Sequence, residues 1–150
     1  MLEIIKELEQ IIITYQPLLE RIEAASFSLK PLPNKWSKKE ILGHLIDSAQ
    51  NNIRRFIVGQ YEEQPHIEYN QDQWVTISHY QRNNEKDLIN LWALMNKQIL
   101  MILKNISAEA AKRLVKTQDI HSIEWLAADY NKHLLHHLHH LLELEPVSYP

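Results

Sequence analysis

Only two glycines, Gly43 and Gly59, occur in 150 residues. Sandwiches, barrels and phosphate-binding loops all use glycine where the backbone needs positive φ or close approach to a ligand. A chain this poor in glycine is a bad candidate for an all-β fold, for a P-loop and for a dinucleotide fingerprint alike. Hydrophobic residues make up 45% and charged residues 23%, which suits one globular core and does not suit a disordered chain. The length predicts a single domain over residues 1–150. Cysteine is absent, which removes disulfides, thiolate metal sites and a cysteine nucleophile from consideration.

What remains is helical periodicity. Residues 2–25 carry Ile4, Leu8, Ile11, Tyr15, Leu18, Ile22 and Ala25 at steps of three and four, with Pro17 expected to kink or split the helix. Pro31 and Pro33 mark residues 26–33 as a connector. Ser37 followed by Glu40 has capping-box spacing, and Trp36 is placed to staple onto Ile41. That second helix should run to about Gly59. Residues 60–83 are polar, aromatic and aperiodic, too long for an ordinary bundle connection and of the kind that carries function. A third helix is predicted from Asn83 or Asn84 to near Asn105, burying Leu88, Leu91, Trp92, Met95, Ile99 and Ile102. Residues 107–115 read as a short helix before an exposed link, and the last long helix as running from Ser122 to before Pro146. Strand signals are missing almost everywhere. The expected fold is all-α, an antiparallel four-helix bundle with a long crossover loop between the second and third helices.

Charge and hydropathy narrow the partners. The formal net charge is −3, and Lys and Arg form no stripe of the kind that nucleic acid requires. Glu3, Glu7 and Glu9 interrupt the apolar start in a way no signal peptide tolerates, and no run approaches a membrane span. A cytoplasmic protein acting on a small molecule, with neither nucleic acid nor membrane as partner, is expected.

The unusual composition is in histidine. Five of nine lie between His133 and His140. His133 and His137 are four apart on a helix, so their rings emerge one turn apart on one face, the geometry by which two imidazoles share a metal ion. That face also bears Leu126, Tyr130, Leu134 and Leu141 and should point inward. His139 lies on the opposite side of the wheel and reads as a surface residue, whereas His136 and His140 flank the inner face. A third ligand must come from another helix. His44 is central in one, but it shares a polar stripe with Ser37, Glu40, Ser48, Asn51 and Arg55. A solvated histidine and a stripe opening onto a wet cavity look the same at this level.

The ordered set of segments resembles a known family. Trp36 to Ser48 (WSKKEILGHLIDS), then Asn51 to Phe56 (NNIRRF), is similar to the second helix of DinB-like proteins, a superfamily that includes the YfiT-type metal-dependent bacillithiol transferases. Tyr69 to Val75 leading to Tyr80-Gln81, Leu91-Trp92 with Asn96, and Asp129-Tyr130 with His133 to Leu138 resemble its later segments in the right order. The resemblance implies a four-helix bundle holding a divalent ion, zinc or nickel, on His44, His133 and His137. His140 departs from the pattern, where the family often has glutamine, and leaves His136 with His140 as an alternative pair.

Three neutral imidazoles leave a divalent ion an open position, the pattern of catalytic sites. Such an ion can activate a low-molecular-weight thiol such as bacillithiol, giving an S-transferase, or water, giving a hydrolase. A non-catalytic metal-binding stress protein, or a dimeric interaction module, is the alternative, and a homodimer stays open. Asp47 and Asp129 lie one turn from His44 and His133, where carboxylates can orient imidazoles, although solvated helix carboxylates are the plainer reading. Arg54, Arg55 and Arg82 are candidates to hold a substrate carboxylate, against a plain surface placement for each.

Overall fold

The computed structural model describes residues 1–149. Its four long helices are α1 (Leu2–Glu20), α3 (Lys38–Val58), α5 (Glu85–Asn105) and α6 (Ile123–Leu141), joined by the short helices α2 (Ala24–Ser28) and α4 (Gln71–Ser78). The expected all-α class and four-helix bundle are what the chain forms. Around the bundle the order is α1, α5, α3, α6, with α1 diagonal to α3.

Side-chain pairs fix the directions. Lys104 of α5 meets Glu9 of α1 at 2.9 Å, while Glu20 and Glu85 share a small cleft, so those two helices are antiparallel. His44 faces His133 and His137, and Gly59 faces Ile123, so α3 and α6 are antiparallel too. Tyr15 reaches His139 and Asn131 reaches the Ile4 carbonyl, which makes α1 and α6 parallel. The crossover returns the chain to the end where α3 began, since Gln81 donates to Ser37 Oγ at 2.8 Å. Thus α3 and α5 also run in the same direction, so the bundle is not antiparallel throughout as expected, and the connection between those two helices must be long.

Helix starts follow the expected chemistry. Ser37 and Glu40 form the reciprocal capping box that satisfies two of the orphan amides at the head of α3. Asn84 caps α5 and Ser122 caps α6. Among the described residues no helix is long and apolar enough to cross a membrane.

Several local expectations are corrected. Pro17 sits inside α1 without breaking it, and the helix ends at Glu20 instead of 25, so the expected connector begins as α2. The buried face of α5 keeps Leu88, Trp92 and Ile99 as expected, with Met95 and Ile102 half-buried, but Leu91 is 44% exposed, and Ile89, Ala93, Asn96, Leu100 and Leu103 are buried as well. Contact with both α1 and α3 widens the stripe on that side. Residues 107–115 are not a helix. They form a 3-10 turn, Ala110–Lys112, then β1 (Leu114–Lys116), which pairs antiparallel with β2 (Ile120–Ser122). Val115 is buried against Gly59, where β-branching is no handicap in an extended segment.

Both glycines are close-approach positions, and neither has positive φ. A Cβ on Gly43 would lie 2.1 Å from Cδ2 of Tyr80, and one on Gly59 would lie 2.7 Å from Cγ2 of Val115. Gly43 therefore admits the crossover onto α3 beside His44.

Candidate metal centre

The polar stripe of α3 is not solvated. His44 has no exposed surface, because Trp36 packs on its ring at 5.1 Å between centroids and α6 covers it from the other side. Across that contact stand His133 and His137, one turn apart on α6. The three rings are 4.5–4.9 Å apart between centroids and meet edge to face. One ligating nitrogen from each lies within 4.8 Å of the others, and Nε2 of His44 is 2.9 Å from Nε2 of His133.

Such a cluster is costly without a common partner. Nδ1 of His44 and Nδ1 of His137 are buried with no hydrogen-bond partner in the protein. Burial pushes His44 down to about 4, with Asp72 opposing the shift. It drives His133 well below the ordinary histidine value and His137 to about 3, with neighbouring imidazoles adding to both. All three are thus neutral near pH 7, the form in which imidazole offers a lone pair to a metal. Imidazole–metal bonds of about 2.0–2.1 Å suit nitrogens held this close. The residues fit a divalent ion.

The flanking groups divide clearly. Ser48 Oγ lies 3.4 Å from His133 Nδ1, beside the centre. Asp47 does not orient an imidazole and is not solvated. Its Oδ1 accepts from the Tyr80 hydroxyl at 2.5 Å, its Oδ2 is buried without a partner, and burial raises the carboxyl to about 6. Asp129 accepts from the Tyr149 hydroxyl at 2.9 Å. Of the arginines, Arg54 and Arg82 are exposed. Arg55 lines the cavity, where it donates to the Ile67 carbonyl and Asn52 Oδ1, with no carboxylate at ion-pair distance among the described residues.

The remaining histidines of α6 point elsewhere. His140 is exposed, and His136 is bonded to the Val147 carbonyl, so the alternative pair does not form. His139 faces away from the centre as expected, but it is not a free surface residue. Its Nε2 accepts from the Tyr15 hydroxyl at 2.6 Å and its Nδ1 donates to the Glu145 carbonyl at 2.7 Å.

A cavity of about 940 Å³ opens beside the centre, with His133 on its wall. Arg55, Tyr69, Trp125, Tyr130 and Tyr149 line it. The aromatic lining was not singled out as a site from the sequence, because Tyr149 arrives from beyond α6 and Tyr69 from the crossover. No local periodicity links them.

Residues 7–141 match the profile of the DinB superfamily. The chain belongs to the DinB superfamily. A protein of Halalkalibacterium halodurans named "Putative metal-dependent hydrolase" is 26% identical over 146 residues, covering 91% of this chain and 85% of that one. YfiT of Bacillus subtilis, described as a probable metal-dependent hydrolase with an unusual four-helix bundle topology, superposes with a TM-score of 0.84 at 21% identity. The match covers 94% of this chain and 83% of YfiT. The mycothiol-dependent maleylpyruvate isomerase has the same fold, with a TM-score of 0.77 at 14% identity, over 97% of this chain and 61% of the isomerase.

Proposed function

We propose that this DinB-superfamily chain is a metal-dependent enzyme in which His44, His133 and His137 hold one divalent first-row ion, zinc or nickel, and that its nucleophile is a low-molecular-weight thiol of the bacillithiol kind. The convergence of three neutral imidazoles beside a cavity large enough for a small molecule carries this reading. When bound, the ion supplies the Lewis acidity that makes a thiol or a water nucleophilic near neutral pH. Ser48 is placed to take the remaining ring proton of His133 as a hydrogen bond and so fix that imidazole. Arg55 offers a guanidinium, unpaired with any described carboxylate, to an anionic group of the substrate.

The surroundings favour a thiol over water. Asp47 and Asp129 are both engaged by tyrosines and neither touches an imidazole of the centre. Neither carboxylate is therefore free to act as a general base toward a metal-activated water, whereas a thiol, with an ordinary pKa of about 8.5, ionises with little such help. The hydrolase reading is supported by the names of the H. halodurans and B. subtilis relatives.

One experiment separates these. Metal content is measured by mass spectrometry, and the loaded protein is assayed for conjugation of a small thiol to an electrophile and for hydrolysis of activated esters. Thiol-dependent turnover that vanishes with a chelator supports the transferase. Ester cleavage without thiol replaces it with the hydrolase. One bound metal with neither activity leaves a metal-binding protein and overturns the enzyme reading.

A further inference from the structure

The segment after α6 runs back along that helix. Glu143 turns it, at φ 57°, in the left-handed region that glycine usually occupies. The Leu144 amide bonds to the His139 carbonyl and the Glu143 amide to the His140 carbonyl, the paired reversal that ends many helices. Alternate residues then meet α6 in turn. His139 Nδ1 donates to the Glu145 carbonyl, His136 Nδ1 to the Val147 carbonyl, and the Tyr149 hydroxyl to Asp129 Oδ2. The first anchor continues through Tyr15 into α1. Three bonds at every second residue make a strap with a defined register.

That register puts one aromatic ring against His133, at the edge of the centre that faces the cavity. The Tyr149 ring lies 5.4 Å from that of His133 between centroids, edge to face at 68°, and 5.9 Å from that of His136. Tyr149 and His133 line the same cavity, whereas His44 and His137 do not. A ligand approaching the three nitrogens from the cavity therefore meets Tyr149 beside His133.

We propose that Tyr149 is a specificity-determining wall of this site, its ring limiting the size of the ligand that reaches the three imidazoles, and that Asp129 is the positioning residue that holds the ring in place. Selection of a ligand rests on the metal reading above, whereas shielding of His133 does not. The hydroxyl proton is committed to Asp129, so the phenol works here as a shaped, anchored surface and takes no part in proton transfer.

Two measurements test this with Tyr149→Ala, Tyr149→Phe, Asp129→Ala and the Phe/Ala double variant. First, metal-free protein is treated with diethylpyrocarbonate and modification is mapped by mass spectrometry, with exposed His140 as the internal reference. His133 should react severalfold faster in Tyr149→Ala. It should react modestly faster in Tyr149→Phe and Asp129→Ala, and no faster in the double variant than in either single one, because all three cut one bond. Second, cobalt-loaded protein is titrated with 2-mercaptoethanol and with glutathione, following the thiolate-to-cobalt absorption. Tyr149→Ala should improve glutathione relative to 2-mercaptoethanol by about tenfold, the scale of discrimination a pocket wall provides. Unchanged His133 reactivity in folded Tyr149→Ala, or an unchanged ratio of thiol affinities, overturns the wall. Failure to take up cobalt, or absence of any thiolate band in every variant, overturns the metal reading instead and leaves the footprint to decide the wall.

Discussion

The two faces of α6 use the same side chain for opposite purposes. On the inward face, His133 and His137 meet His44, and Nδ1 of His44 and of His137 are buried with no protein partner. On the outward face, His136 and His139 each donate to a carbonyl of the strap, and His139 also accepts from Tyr15. An imidazole bonded to backbone acceptors is a structural bolt, whereas neutral imidazoles packed against one another suit a shared cation. Neighbours decide the role, and residue type does not.

The sharpest way to break this contrast is to truncate each face. His133→Ala or His137→Ala should abolish metal retention through dialysis, since two remaining imidazoles cannot hold an open site. His139→Ala should keep the wild-type stoichiometry. Elemental analysis of the dialysed proteins decides it, and loss of metal from His139→Ala alone would reverse the assignment of the faces.

Acid should distinguish the faces next. The inward imidazoles have depressed folded-state values, with His44 moved from 6.5 to about 4. Between those limits the unfolded chain binds protons that the folded chain refuses. Stability of the metal-free protein is therefore present above about pH 6.5 and lost as the pH falls through the window. Asp47 works against this, because its value is raised from 3.8 to about 6 and the folded chain there holds a proton the unfolded chain has released. Urea midpoints followed against pH should fall on acidification, and more steeply in Asp47→Asn. A flat profile would show that the inward rings are wet.

A smaller effect tests what holds the inward face shut. Gly43→Ala places a methyl on the Tyr80 ring and should cost about 2–3 kcal/mol in urea unfolding, through overpacking at a buried contact. Gly59→Ala makes a less severe clash and should cost less. Equal costs would mean that the crossover yields freely.

The outward face gives the smallest change. Tyr15→Phe removes the donor to His139 Nε2 and should cost about 1 kcal/mol with metal content unchanged. Thermal unfolding and elemental analysis together check it. A loss of metal would couple the strap to the centre more tightly than the geometry indicates.

Much of the scaffold was legible because its determinants are local. The capping box of Ser37 and Glu40, the caps Asn84 and Ser122, and the i, i+4 spacing of His133 and His137 all act within one or two turns. The short hairpin was missed because three-residue strands carry too little alternation to register, and Val115 is the one buried position in β1. The extra width of the α5 face was missed because a helix touching two neighbours buries a stripe wider than its own most apolar line.

For the site, sequence by itself determined the helical spacing that puts two imidazoles on one face, and the scarcity of glycine that kept the chain helical. Whether His44 looks into solvent or into a dry centre was left undecided by its polar stripe. Tertiary structure decided it, by laying Trp36 and α6 over that stripe and by bringing the crossover against Gly43. It alone also delivered Tyr149 to His133, from sixteen positions further along the chain. The reason is physical: periodicity records which face of a helix is buried, but a polar face is indifferent between water and other polar groups until another element arrives to cover it.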